Sequence, residues 1–489
     1  MTEPFFYPRH RPSQTKIVAT VGPACGRPSQ LADLIRAGVD VFRVNTAHGS
    51  REEHKQRLND IREASQATGQ AVAILVDLAG PKIRLGELPD GQLECVAGQE
   101  LHFVRGTESH AADQLTTTYE PLLEELYAGA RVLLADGMVA LTVERVDGEV
   151  AVCRVTQSGL VRSRQGVNLP GVKLSVPTLG EVDRERAVWA ARAGADYIGL
   201  SFVRHADDIR QLKALVNPEN EDVRVIAKVE KPEAVENLEA IVHAADGVMV
   251  ARGDLGVEID IAEVPVVQKR IIATCRRCRK PVIVATQMLD SMQRSRIPTR
   301  AETTDVANAI LDGADACMLS GETAIGKYPL ESVEMMHRIA MATESVYRQH
   351  PTATATATAT DPPCDEPRGN PITQATTFAA GRLAEQIDAR TLIIASHSGK
   401  TALEVSKNRH FVSMMGVSDS EATLRRMCLY WGVIPLSGAP TDDSASLMQY
   451  VVDRGRSAGY LASGDRIVLV SGTGLASTRH NMIVVHEIE

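Results

Sequence analysis

A small set of side chains in this 489-residue chain has the charge pattern of a site for an anionic substrate that needs a metal. Lys228 and Glu230 end one β-branched run, and Arg252 and Asp254 end the next. Arg43 and Asn45 close an early run and Asp77 the one after it, while Thr286 ends a later run and Ser320 and Glu322 the last. Two carboxylates on adjacent strands, Glu230 and Asp254, suit a hard divalent cation with positions left open for substrate and water. Arg43, Arg84 and Lys228 around them suit a substrate bearing phosphate and carboxylate. Any one polar strand end could equally belong to a neutralised ring of ion pairs. Cations and acids gathered together at several strand ends point to a site.

The elements that must position these groups are eight short apolar runs, at 16–21, 39–44, 71–76, 197–201, 223–229, 247–251, 281–285 and 316–319. Helical stretches such as 53–68 and 182–193 separate them, so the pattern predicts a (β/α)8 TIM barrel, an α/β fold whose reactive groups collect at the C-terminal strand ends. About a hundred residues interrupt the rhythm after the third run. Their alternating apolar pattern and turn signals, as in GELPDGQLECVAGQELHFV, predict a small all-β domain inserted over 85–177. The barrel is then assembled from 1–84, with an N-terminal extension over 1–15, and from 178–350. Residues 351–368, PTATATATATDPPCDEPR, read as a low-complexity linker. A separate C-terminal α/β domain fills 369–489.

Composition narrows the function classes. Lys plus Arg number 53 against 62 Asp plus Glu, a net charge of −9, which argues against a nucleic acid or an anionic membrane as the main partner. Aromatic content of 4% leaves few stacking platforms for single strands. No run has the roughly 20 apolar residues of a membrane span, and MTEPFFYPRHRPSQ lacks the apolar centre of a signal peptide, so the expectation is a cytoplasmic protein. The eight cysteines are scattered mostly through apolar runs. Cys275 and Cys278 form a CxxC, but no second ligand pair is apparent, and IIATCRRCRK reads as the cationic end of a helix rather than a zinc site.

At these residues the chain resembles the pyruvate kinase family. The resemblance runs through KIVATVGPA (16–24), FRVNTAHGS (42–50), VDLAGPKIRLG (76–86), GVNLPG (166–171), IAKVEKPEAVEN (226–237), DGVMVARGDLGVEI (246–259), KPVIVATQMLDSM (280–292) and PTRAETTDVANAILDGADACMLSGETAIGKYP (298–329). It covers most of the chain, more loosely in the inserted and C-terminal domains. It implies transfer of the phosphoryl group of phosphoenolpyruvate to ADP, giving pyruvate and ATP in glycolysis. By resemblance, Glu230 and Asp254 hold Mg2+, with Mn2+ as a substitute, and Lys228 lies over the transferring phosphoryl group. Arg43 binds that group from the nucleotide side, and the backbone amides of Arg252, Gly253 and Asp254 receive the substrate carboxylate. Thr286 sits beside the carbon that is protonated, with Ser320 and Glu322 as relay members. Pro23, Asn45, His48 and Arg84 are the ADP contacts. The resemblance further implies a homotetramer and an inserted domain that closes as a lid.

The chain departs from the family pattern where many members bind K+. Asn45 and Asp77 are kept, but Ala47 stands for a Ser, Leu78 for a Thr, and Lys82 for a Glu. Two oxygen ligands are gone and one negative charge has become positive, so Lys82 is expected to supply the charge of K+ and activity to be K+-independent. Gln165 stands where a nucleotide-reaching lysine is usual, with Arg164 beside it as a possible compensation, and Lys231 replaces an Asn. The loop SHSGKTA (396–402) resembles the effector-phosphate loop of the family. Its ligands are expected to be Ser396, Ser398, Lys400 and Thr401, with Lys407 and Arg409 nearby. Two competing readings are a Mg2+-dependent lyase or aldolase acting on pyruvate enolate, and a regulatory paralogue that binds phosphoenolpyruvate without turnover. Lys228, Arg43, Arg84 and the inserted lid argue against the lyase. That none of Arg43, Lys228, Glu230, Asp254 or Thr286 is missing argues against the paralogue.

Overall fold

The computed structural model describes residues 13–349, 370–440, 443–457, 459–472 and 480–489. The expected low-complexity linker and most of the N-terminal extension lie outside the described residues. Eight parallel strands close into a barrel: Lys16–Thr20, Val41–Asn45, Ala73–Asp77, Tyr197–Leu200, Arg224–Val229, Gly247–Ala251, Val282–Ala285 and Ala316–Leu319. The last pairs with the first through Lys16↔Ala316. Alternation along each strand decides the packing. In the first, Val18 points into the barrel, whereas Ile17 and Ala19 join the layer beneath the surrounding helices. Both faces are buried, which is why these strands read as continuous apolar runs.

Between the third and fourth barrel strands the chain forms a six-stranded sheet and a two-stranded ribbon. Their inward residues, including Leu101, Phe103, Val132, Leu141 and Val155, make a separate core. The C-terminal domain is a five-stranded sheet in which only the last strand, His480–Glu487, is antiparallel to its neighbour. Among the described residues, no helix is long and apolar enough to cross a membrane.

The underside of the barrel, at the N-terminal ends of the strands, has a repeating device that the sequence reading missed. Asp40, Asp196, Asp246 and Asp315 each lie just before an even-numbered strand, in GVD, GAD, AAD and GAD. Each carboxylate accepts from a backbone N–H near the start of an odd-numbered strand: Ile17 at 2.9 Å, Ile74 at 2.8 Å, Val225 at 2.9 Å and Val282 at 2.7 Å. Each also pairs with a cation: Lys16 with Asp40, Arg62 and Arg425 with Asp196, Lys213 with Asp246, and Lys407 and Arg409 with Asp315. A buried carboxylate needs both kinds of partner to offset the loss of water.

The C-terminal domain docks on this underside. Arg425, Lys407 and Arg409 come from it, as does the Arg426 carbonyl that accepts from Tyr197 Oη at 2.7 Å. Lys407 and Arg409, expected beside the effector loop, are thus committed to Asp315 instead. Lys407 ends the Lys400–Lys407 helix that the loop begins. It lies six residues beyond Thr401, about 9 Å along the helix axis.

Candidate active site

The opposite rim gathers the residues selected from the sequence. Lys228 leaves the fifth strand with its ammonium group buried against three oxygens: Ser201 Oγ at 2.6 Å, Glu230 Oε1 at 2.8 Å and Asp77 Oδ1 at 3.2 Å. Burial opposes its charge, but Asp77 and Glu230 more than offset this and hold its pKa above the ordinary lysine value. Arg43 reaches from the second strand, with Nη2 2.6 Å from Asp77 Oδ2 and Nη1 donating to Thr20 Oγ1 at 3.2 Å. Asp77, fully buried, would be raised by desolvation alone, yet Lys228 and Arg43 keep it below the usual carboxylate range. Ser201 closes the fourth strand in YIGLS and was not selected from the sequence. Its signal was available, since it is a polar strand end like the others.

Glu230 is nine-tenths or more buried, and its Oε2 accepts from the Phe202 amide at 2.7 Å. Burial raises its pKa, and the Asp254 charge raises it further against the pull of Lys228. Glu230, pushed up by burial and by a second carboxylate beside it, belongs to a donor set that a divalent cation would neutralise, so the residues fit Mg2+. Asp254 opens onto a cleft between barrel and inserted domain, which Lys82, Asn168, Phe202 and Lys231 also line. Across it, Glu258 Oε1 accepts from Asn168 Nδ2 of the inserted domain at 3.1 Å and pairs with Lys231 at 2.7 Å. Lys231, one of the departures from the family pattern, thus helps to fasten the inserted domain to the helix that carries Asp254.

Three non-glycine residues at the same rim have left-handed backbone. Phe202, Thr286 and Gln287 have φ of +54°, +67° and +54°. For a β-branched threonine the left-handed region is costly and persists only where the surroundings enforce it. Two interactions do so: Thr286 Oγ1 accepts from the Gly253 amide at 2.7 Å, and the Thr286 carbonyl accepts from Arg252 Nη2, also at 2.7 Å. Arg252 is held in turn by Asp305 at 2.6 Å. Gly80, at φ +72°, lets the VDLAGPK loop pass the Phe202 ring, because a Cβ there would lie 2.5 Å from it.

The structure leaves other selected groups apart. The Gly253 amide, expected to receive substrate carboxylate, is engaged by Thr286. Glu322 accepts from the amides of Leu289 at 3.0 Å and Ser320 at 2.7 Å, and burial raises its pKa. Ser320 Oγ is buried without a hydrogen-bond partner among the described residues. No direct hydrogen bond joins Thr286, Ser320 and Glu322 side chains, so a relay through them needs intervening water. Asn45 Oδ1 accepts from the Ala47 amide at 3.1 Å. Lys82 is 3.9 Å from Asp136 of the inserted domain rather than against Asp77.

Among the expected ADP contacts, Arg84 Nη1 donates to the Arg164 carbonyl at 3.1 Å, and Pro23 and His48 are exposed. The Gln165 side chain turns back to accept from the Arg162 amide at 2.7 Å. Arg164, which could have compensated for it, pairs with Glu87 at 2.5 Å. In the C-terminal domain, Ser396 Oγ accepts from the Gly399 amide at 3.1 Å, and Lys400 and Ser398 are exposed while Thr401 is buried.

Comparison with known proteins identifies the family and the fold. Residues 12–333 match the family described as pyruvate kinase, barrel domain, and residues 374–486 match pyruvate kinase, alpha/beta domain. The chain is 40% identical over 480 residues to a pyruvate kinase of Geobacillus stearothermophilus, covering 97% of this chain and 80% of that one. It is 41% identical over 476 residues to a pyruvate kinase of Mycobacterium tuberculosis, covering 97% and 98%. The crystal structure of a pyruvate kinase from Cryptosporidium parvum superposes with a TM-score of 0.89 at 32% identity, covering 98% of this chain and 96% of that one. With both domains matched in order and nearly the whole length covered, the chain belongs to the pyruvate kinase family of transferases.

Proposed function

We propose that this chain transfers the phosphoryl group of phosphoenolpyruvate to ADP with Lys228 as its central electrostatic group, and that it does so without K+. The observation that carries the reading is the buried Lys228 ammonium group, held charged by Asp77 and Glu230 at the mouth of the barrel. In the reaction the bond from phosphorus to the enol oxygen breaks and one to a terminal ADP oxygen forms. Lys228 and Arg43 face the charge on the phosphoryl oxygens from two sides, and Lys228 also stabilises the departing enolate oxygen. A divalent ion, Mg2+ or Mn2+, on Glu230 and Asp254 supplies further neutralisation of that charge when bound. The enolate then takes a proton at carbon beside Thr286, giving pyruvate. Thr286 is fixed there by the Gly253 amide and orients that step. Pro23, Asn45, His48 and Arg84 serve the ADP side.

Three features support K+ independence: the Ala47 and Leu78 replacements, the engagement of Asn45 and Asp77 by protein donors, and a lysine at position 82. The Lys82–Asp136 pair is exposed and of small energy, so Lys82 can leave it at little cost. The test is pyruvate release from phosphoenolpyruvate, ADP and Mg2+ with and without potassium at fixed ionic strength. Rates within about tenfold of each other, equivalent to about 1.4 kcal/mol of barrier, support the reading, and a larger activation overturns it. Phosphoenolpyruvate binding with no pyruvate under either condition would favour the regulatory paralogue instead.

The Ser396–Thr401 loop, a strand-to-helix turn rich in hydroxyls and amides, supports a phosphorylated allosteric effector. Lys400→Ala should abolish activation by such a compound while preserving the rate at saturating phosphoenolpyruvate; activation that survives intact removes the assignment. Family membership supports a cytoplasmic homotetramer, to be checked by sedimentation against four chains of 52.8 kDa.

A further inference from the structure

Away from the active site, on the outer helices of the barrel, Glu239, His243 and Cys278 bring a carboxylate oxygen, an imidazole nitrogen and a thiol sulfur within 4.8 Å of one another. Glu239 and His243 are four residues apart on the Leu238–Ala244 helix, so they share a face. Cys278 comes from a different element, the C-terminal cap of the Val264–Arg277 helix. Its Sγ is 3.9 Å from His243 Nε2, and that nitrogen is 4.0 Å from Glu239 Oε1. A tetrahedral zinc site, with bonds of about 2.3 Å to sulfur and about 2.0 Å to nitrogen, sets those two atoms about 3.5 Å apart. The His243–Cys278 spacing is within a few tenths of an ångström of this, whereas the 4.0 Å from His243 to Glu239 is wider than such a site allows by well over half an ångström, so the half-exposed Glu239 side chain must turn inward to close it.

We infer that Glu239, His243 and Cys278 form a second metal site, selective for a borderline or thiophilic divalent ion of the Zn2+ class, with the fourth position open to water. The donor set separates it from the Mg2+ site. Thiolate and imidazole favour Zn2+ and Co2+, whereas Glu230 and Asp254 offer only the oxygen that Mg2+ prefers. The CxxC does not act as a pair. Cys275 is buried in the barrel core and stands outside the donor cluster, and the missing ligands come from the neighbouring helix. Arg277, 3.0 Å from Glu239, is the counter-ion that a bound metal replaces. With 21% and 47% of the two side chains exposed, that exchange costs little.

The position also gives the ion something to act on. Arg279 directly follows Cys278, and its guanidinium donates to the Glu404 carbonyl and to Asn408 Oδ1, both at 2.7 Å. Those residues belong to the end of the helix that begins at the Ser396–Thr401 loop. Metal at Cys278 thus tethers the peptide from which the barrel grips the C-terminal domain.

The test titrates Co2+ into the reduced full-length protein in excess Mg2+, which occupies the oxygen site, and reads the thiolate-to-cobalt charge-transfer band. The expected result is one equivalent per chain, displaced by Zn2+, with the band abolished in Cys278→Ser. His243→Gln and Glu239→Gln, both at partly exposed positions, should each weaken binding at least tenfold and leave the fold intact. No thiolate band in the wild type, a band that survives Cys278→Ser, or affinity unchanged in both helix variants would overturn the site.

Discussion

Both ends of the barrel gather charged side chains, and they use them differently. On the underside, Asp315 has a backbone amide on one oxygen and cations on both, and Asp196 is satisfied in the same way. On the rim, the buried Asp77 Oδ1 has only the 3.2 Å ion-pair contact with Lys228 and no hydrogen bond, and Ser320 Oγ has no hydrogen bond among the described residues. Glu230 is raised by burial and by its acidic neighbour, and Thr286 and Phe202 hold left-handed backbone. The two aspartates that join strands to the C-terminal domain are fully paired, whereas at the rim Asp77 Oδ1 and Ser320 Oγ keep acceptor capacity that a ligand could use.

That contrast can be broken by substitution. The largest effect should come at the rim, where Lys228→Ala removes the central cation and lowers kcat by about a hundredfold to a thousandfold, the cost of losing one preorganised donor. Its check is pyruvate release at saturating substrates. On the underside, Asp315→Asn should leave kcat within about threefold but cost about 3 kcal/mol of stability, because Lys407 and Arg409 lose their buried counter-charge. Burial already pushes Lys407 down to about 8 despite Asp315. Denaturant unfolding measures that loss.

A smaller effect follows from pH. Asp77 is depressed in the folded protein, so its contribution to stability is complete above the ordinary carboxylate pKa of about 3.9 and is lost as pH falls through its lower folded value. The stability difference between wild type and Asp77→Asn should therefore be flat from neutral pH to about pH 4 and narrow below it. A difference that widens on acidification would show that Asp77 is not held down by Lys228 and Arg43.

The barrel was legible because its strands are buried on both faces, leaving apolar runs at regular spacing, and the rim residues were legible because polar groups end those runs. The underside aspartates were equally visible as GVD, GAD, AAD and GAD. They were passed over because one Asp before a strand resembles any turn residue until its partner strand is known. Lys407 and Arg409 were misplaced for a related reason. Proximity in sequence to SHSGKTA suggested a shared ligand, but a helix carries its last turn away from its first. The Glu239, His243 and Cys278 cluster could not be read from the CxxC, since its other donors lie more than thirty residues upstream and meet Cys278 only when two helices pack.

The most direct test of the division between the two ends puts Lys228→Ala and Asp315→Asn through the same pyruvate-release assay, at saturating substrates and at a temperature where both are folded. The account requires the two rates to separate by about a hundredfold or more, with the rim variant slow and the underside variant close to wild type. Equal losses in the two variants, or a Lys228→Ala rate within about tenfold of wild type, would contradict it.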